Sequence, residues 1–310
     1  MNAPQSTVPL RAGVVGLGMI GGGVAISLAR SGRVPVVYDI RPEAAELSGN
    51  PELLGSPAEV AARADVVMVA VVSAEQAREV ITGESGLLAG TRPGSVIVLL
   101  STIELPVVRE LAAACAEAGV GFLDSGVTPG DKAAENGLVT MVGGDAGTVE
   151  RARPVLEDFA KAVVHCGPLG AGMATKLARN IVTYGSWRTV AEATALATAA
   201  GVEPETLMAV INTADPGGRT LLNLLQMQRI GEDDALAMSK QLPALMNEDL
   251  DGPAALAAIR GMIPGIEALM DKDLAAAQTL ASELDIDLPL VDVTRRMERD
   301  TLGIREGHDV

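Results

Sequence analysis

From Ala12 to about Pro168, short apolar runs alternate with stretches of helical period; after Gly170 only the helical period remains. Val14-Val15, Val34 to Tyr38, Val66 to Val72 and Ser95 to Leu100 are β-rich runs, and Val66–Val72 is apolar at every position. Such a run reads as a strand buried on both faces, as in a parallel sheet. Strands at Gly119 to Asp124, Leu138 to Gly144 and Ala162 to His165 continue the series, with helices over 104–117 and near 146–159. This alternation predicts an α/β domain over 11–168, an open, doubly wound sheet of Rossmann type. Residues 172–200 hold no proline and an Ala/Leu-rich period, which predicts one long interdomain helix ended by Gly201. An all-α C-terminal domain is expected over 169–310. Residues 1–10 read as a disordered leader and 305–310 as a frayed tail. Residues 230–264, with Glu232-Asp233-Asp234 and several glycines, read as short helices and loops of a solvated insertion.

At 310 residues the chain has room for two domains, and 48% apolar residues supply large cores. Aromatics are scarce, so these cores are built from small side chains. A net charge of −16 argues against a nucleic-acid partner, which needs a basic face. Cys115 and Cys166 are isolated in apolar surroundings and read as buried free thiols, with no disulfide framework and no metal-ligand spacing. No secretion signal is legible, and the longest apolar run is too short to span a bilayer. The expectation is a cytoplasmic protein with no membrane partner.

The chemistry starts at the first strand. Val14-Val15 runs into Gly16-Leu17-Gly18-Met19-Ile20-Gly21; a helical stretch from Val24 to Arg30 follows, then a second strand ending in Asp39. Strand, glycine turn, helix, strand and acid in this order form a dinucleotide-binding unit. Gly16 permits the tight turn, Gly18 lets the backbone approach a pyrophosphate, and Gly21 lets helix and strand pack closely. The helix N-terminus offers N–H groups to the phosphates. Asp39 suits the ribose hydroxyls and repels a 2′-phosphate, which favours NAD; Arg41 suits adenine or a phosphate and leaves NADP open. The lesser alternative for Asp39 is a helix N-cap before Arg41-Pro42-Glu43.

Val71-Val72-Ser73 and Ser101-Thr102 stand at the carboxyl ends of two strands, where such sheets place ligands. Thr102 suits a nicotinamide contact, or it is a helix cap in competition with Ser101. Asp124 to Gly130 reads as a loop after a strand, suited to a carboxylate or hydroxyl, or as a plain turn. Lys176 and Asn180 share a helix face, and Gly172 one turn earlier leaves room for something to approach. A lysine facing an apolar cleft can exchange a proton with a carbonyl oxygen; on spacing alone the pair is a solvated face. Lys272 reaches a cofactor or pairs with Asp271 or Asp273.

Together these motifs resemble the β-hydroxyacid dehydrogenase family, which includes 3-hydroxyisobutyrate dehydrogenase and tartronate semialdehyde reductase. The likeness runs from Gly13 to about Pro289. Gly13 to Gly21 is similar to its opening fingerprint, and Ser101-Thr102-Ile103 to its cofactor loop. Asp124 to Gly130 is similar to its substrate segment, Gly170 to Asn180 to its catalytic helix, and Lys272-Asp273-Leu274 to its C-terminal motif. The resemblance implies an NAD(P)-dependent oxidoreductase with a 6-phosphogluconate dehydrogenase-like C-terminal domain. It implies that Lys176 is the acid/base and that Asn180, Thr128, Pro129 and Gly130 meet a small-molecule substrate. It also implies that Met19, Ile20, Asp39, Val72, Thr102 and Lys272 touch the cofactor, and that the protein is a homodimer or homotetramer. Three departures stand out. The substrate segment reads Thr128-Pro129-Gly130 where Ser-Gly-Gly is usual, Arg179 replaces an asparagine, and the stretch between Arg219 and Lys272 is long. Proline has no N–H to offer an anion. The competing readings are an imine reductase and a non-catalytic NAD-binding protein.

Overall fold

A computed structural model describes residues 9–218, 230–240 and 249–302. The start of the expected leader and the expected frayed tail lie outside the described residues. The chain forms two compact units, residues 1–182 and 183–310.

The first unit is an eight-stranded sheet ordered β3-β2-β1-β4-β5-β6-β7-β8. Its strands are β1 (Ala12–Val15), β2 (Val36–Tyr38), β3 (Glu52–Leu53), β4 (Val66–Val69), β5 (Val96–Leu99), β6 (Gly121–Thr128), β7 (Leu138–Gly143) and β8 (Ala160–Gly167). All pairings are parallel except β6 with β7. Strand order reverses between β1 and β4, the switch point where such sheets open a crevice. In β1, β4 and β5 every residue is buried. Alternate positions feed two cores, one per face: Val14, Met68 and Val98 in one, Val15, Val69 and Leu99 in the other.

The helices of this unit are α1 (Met19–Arg30), α2 (Ala44–Leu47), α3 (Pro57–Arg63), α4 (Ala74–Thr82), α5 (Leu87–Gly90), α6 (Leu105–Glu117) and α7 (Ala146–Leu156). Helix α1 starts five residues before the stretch read from sequence. Its first turns hold Gly21-Gly22-Gly23, poor helix formers that packing overrides. A Cβ on Gly23 would stand 2.5 Å from the Ala133 Cβ, on the 3-10 turn Gly130–Glu135.

Two corrections concern strands. The loop expected over 124–130 is strand as far as Thr128, because Asp124 to Thr128 pair with Gly143 to Val139. The segment expected to be strand through Val72 leaves the sheet after Val69, and Val72 is 90% exposed. A third correction concerns Cys166, which is half-buried on the exposed edge strand β8, whereas Cys115 is buried as expected.

Helix α8 (Ala171–Ala199) carries the chain from one unit into the other, and the division falls at Val182/Thr183 inside it. The described remainder is helical: α9 (Pro204–Ala214), then Glu232–Ser239, Gly252–Gly261, Ile263–Glu283, Pro289–Arg296 and Glu298–Thr301. Of the stretch 230–264, residues 241–248 lie outside the described residues; the rest is not simply solvated, since Ala235, Ala255 and Ile259 are buried together. Gly252–Glu283 is one span of 32 residues, long and apolar enough by composition to cross a bilayer. Arg260, Glu267, Asp271, Lys272 and Asp273 lie along it, and such charges oppose a lipid environment.

Candidate active site

The three fingerprint glycines meet three different surroundings. A Cβ on Gly16, at φ +85°, would lie 2.4 Å from the Ala70 oxygen, so the turn is closed against the neighbouring strand. A Cβ on Gly21 would lie 1.8 Å from the Gly16 oxygen, which fixes the approach of α1 to β1. A Cβ on Gly18 would stand in open space. That position is a cradle, kept clear by the absence of a side chain. No side chain caps α1, so its first N–H groups are open to an anion. Met19 is exposed, and a Cβ on Gly130 would lie 3.0 Å from Met19 Cε and 3.2 Å from Ile20 Cδ1.

Asp39 does not cap α2, whose N-cap is Glu43. One carboxylate oxygen accepts the Leu17 N–H at 2.6 Å, and the other accepts the Arg41 N–H at 2.8 Å and its Nε at 3.1 Å. Burial opposes the charge, but the bonds from Arg41 and Leu17 outweigh it and hold the carboxyl below its ordinary range. Asp39 and Arg41 line a cleft of about 360 Å³ with Gly16, Gly18, Val71 and Val72. A second cleft of about 450 Å³ is lined by Val72, Ser73, Glu75, Thr102, Glu104 and Leu177. Neither Ser101 nor Thr102 caps α6, whose N-cap is Glu104. The Ser101 hydroxyl accepts the Val71 N–H at 2.8 Å, tying two strand ends together, while Thr102 is exposed. Ser73 caps α4 by accepting the Gln76 N–H at 3.2 Å.

Lys176 stands on α8 against β6. A Cβ on Gly126 would lie 2.3 Å from the Lys176 Cβ, so only glycine admits the lysine there. Its Nζ donates to the Val127 oxygen at 2.7 Å. Burial, then the positive charge of Arg179, push the ammonium below the ordinary lysine value. Asn180 is half-buried and accepts from Arg179 at 3.4 Å. The room beside Gly172 is filled by the sheet itself: a Cβ there would meet the Met141 oxygen at 2.3 Å and the Asp124 oxygen at 2.5 Å. Thr128 and Gly130 are half-buried and Pro129 is exposed at the end of β6. Lys272 belongs to the second unit, exposed on Ile263–Glu283 and paired with Asp273 at 3.3 Å.

Sequence reading missed Asp124 as an individual residue. It is fully buried, and its carboxylate accepts the N–H groups of Gly170 and Met173 at 2.7 Å each. A signal was present: the long helix begins after Gly170 with no Ser, Thr, Asp or Asn at its start, so its cap must come from elsewhere. The glycine cradle, the uncapped α1 terminus and the ionised acid at the end of β2 fit a nicotinamide dinucleotide. Among the described residues no group of three or more metal-ligating side chains occurs.

Comparison with known proteins places these features in a family. Residues 11–167 match the NAD binding domain of 6-phosphogluconate dehydrogenase. Residues 170–251 match the model described as NAD-binding of NADP-dependent 3-hydroxyisobutyrate dehydrogenase. A probable 3-hydroxyisobutyrate dehydrogenase of Dictyostelium discoideum is 34% identical over 205 residues, 65% of this chain and 64% of that protein. The chain thus aligns with less than two thirds of that relative's length. A Mycobacterium tuberculosis 3-hydroxyisobutyrate dehydrogenase solved with L-serine is 28% identical, with a TM-score of 0.63 over 96% of this chain and 94% of that one. An imine reductase of Myxococcus stipitatus shares the fold at 18% identity, with a TM-score of 0.73 over 97% and 96% of the two chains. The fingerprint at the switch point, the lysine-bearing helix behind the sheet and both family models agree: the chain belongs to the β-hydroxyacid dehydrogenase family.

Proposed function

We propose that the protein is an NAD-preferring dehydrogenase that interconverts a 3-hydroxy acid, or a related β-hydroxy compound, and its carbonyl form. The seat of Lys176 carries this reading. Its ammonium is half-buried, held on a backbone carbonyl and below its ordinary pKa, which suits a group that exchanges a proton near neutral pH. A nicotinamide cofactor, when bound, supplies or accepts the hydride. Met19, Ile20, Val71, Val72, Ser73, Thr102 and Lys272 are proposed to contact it, with Gly16, Gly18 and Gly21 shaping the turn. Asp39, held ionised beside Arg41, supports NAD over NADP by repelling a 2′-phosphate. In reduction Lys176 gives its proton to the carbonyl oxygen; in oxidation it takes the hydroxyl proton. Asn180 holds the same oxygen, and Thr128 and Gly130 receive the acid group, with no donor from Pro129.

A homodimer or homotetramer belongs to the same reading. Ile181, Tyr184, Trp187 and Val190 of α8 are all exposed, Ile181 at 74% and Trp187 at 66%. Large apolar side chains left exposed in this number suit association with further copies of the chain.

The test follows absorbance at 340 nm with NAD and with NADP across 3-hydroxy acids, L-serine and bulkier β-hydroxy compounds, with cyclic imines as the opposing panel. Turnover of hydroxy acids, faster with NAD, is expected. Lys176→Ala is expected to lower kcat by about 10²–10⁴-fold, the usual share of general acid–base catalysis, with cofactor affinity nearly unchanged. Turnover confined to imines, or a folded Lys176→Ala variant of undiminished activity, would overturn it.

A further inference from the structure

We infer that Asp124 is the positioning residue of this site: its buried carboxylate grips the N-terminus of α8 and thereby sets where Lys176 stands on β6. The inference rests on the reading of Lys176 just given.

Side chains alternate along a strand, so Asp124 and Gly126 share one face of β6. That face carries the helix at both positions. Asp124 holds the backbone of Gly170 and Met173 through its two separate oxygens, and Gly126 receives the Lys176 stem. Between these points the backbones of helix and sheet approach closely at two glycines. A Cβ on Gly143 would lie 2.5 Å from Asp124 Oδ1 and 2.6 Å from the Gly172 nitrogen. A Cβ on Gly172 would strike both strand carbonyls named above. The helix therefore cannot slide or roll on the strand without breaking two hydrogen bonds to a buried carboxylate, and such charge-assisted bonds are the stronger kind. Met173 and Lys176 are three residues apart, less than one turn, so a grip on the first fixes the second.

The geometry demands an acid. Two N–H donors converge on two oxygens, and an ionised carboxylate is an acceptor on both sides. An asparagine would turn its NH₂ toward one of those donors. Among the described residues Asp124 has no cation partner. Its charge is met by the positive end of α8. The other charges around Lys176 are placed differently: Arg179 lies on the same helix, and Glu75 and Glu104 line the cleft that Leu177 enters.

The test uses the full chain with Asp124→Asn, and Asp124→Ser as a second, smaller variant that keeps one acceptor. Trace acylation of Lys176 across pH, read on its peptide by mass spectrometry, reports the seat of the lysine without relying on turnover. In Asp124→Asn the labelling midpoint is expected to rise toward that of an ordinary lysine. kcat is expected to fall on the order of 10²-fold, as for a small misplacement of a reacting group. NAD affinity, which rests on the glycine turn and Asp39, should stay nearly constant. Asp124→Ser should fall in the same direction. An unchanged Lys176 midpoint in folded variants would overturn the inference, and so would failure of both variants to fold, which would make Asp124 a purely structural residue. A shifted midpoint with undiminished turnover would leave the grip standing and overturn the catalytic role of Lys176 instead.

Discussion

Residues 9–182 and residues 183–302 are built from the same small apolar side chains with different results. In the sheet unit whole strands are buried and two cores fill both faces. Among the described residues of the helical unit Ala235, Ala255 and Ile259 form a buried apolar cluster, while Met208, Val210 and Ile211 of α9 are exposed, Met208 at 58%. Each unit also holds a buried carboxylate on a helix N-terminus. Asp124 has no cation beside it among the described residues. Glu192 accepts the Leu290 N–H at 2.8 Å and the Val291 N–H at 3.1 Å, and bonds Arg188 at 2.7 Å. The contrast teaches that the sheet supplies its own apolar cover, whereas the described helices of the second unit add polar anchoring and leave large apolar side chains exposed. The proposed lysine site stands on the first kind of scaffold, where packing holds side chains in place.

The comparison can be broken in three places. The largest effect is expected in the sheet core. Leu123→Ala should cost about 2–5 kcal/mol in denaturant unfolding, and Met208→Ala in the monomer no more than about 0.5 kcal/mol. Equal losses would mean that the two units are packed alike. Next is the helical anchor. Glu192→Ala leaves two backbone donors without their acceptor and should cost about 1–3 kcal/mol. A cost under the error of the melt would show that polar anchoring is not what holds Pro289–Arg296. The smallest effect is electrostatic. The lowered pKa of Lys176 means that its protonated form is lost as pH rises through a value below the ordinary one. Reduction, which needs that proton, should therefore fail at a lower pH than an ordinary lysine would allow, and Arg179→Ala should move the limb upward. A limb that stays in place would leave burial as the whole cause.

Much of this was legible in the sequence because the forces are local. Alternation of apolar runs and helical period placed the sheet, and the glycine spacing with Asp39 placed the turn. The limits of legibility were physical. The Gly21-Gly22-Gly23 start of α1 has poor helix propensity and is helical because its neighbours pack against missing side chains. Thr102 and Ser101 could not be ranked as caps, since the partner of Ser101 is a strand end 30 residues earlier. Gly172 announced a close approach without saying of what.

The sequence by itself determined the order of elements, the nucleotide turn and the lysine-bearing helix, because each depends on side chains a few residues apart. Only the tertiary structure decided that residues 124–128 are strand, that Asp124 grips α8 and that Gly126 seats Lys176. The contacts of α8 join residues about 50 positions apart in sequence, and a buried carboxylate finds its donors only when sheet and helix have already met.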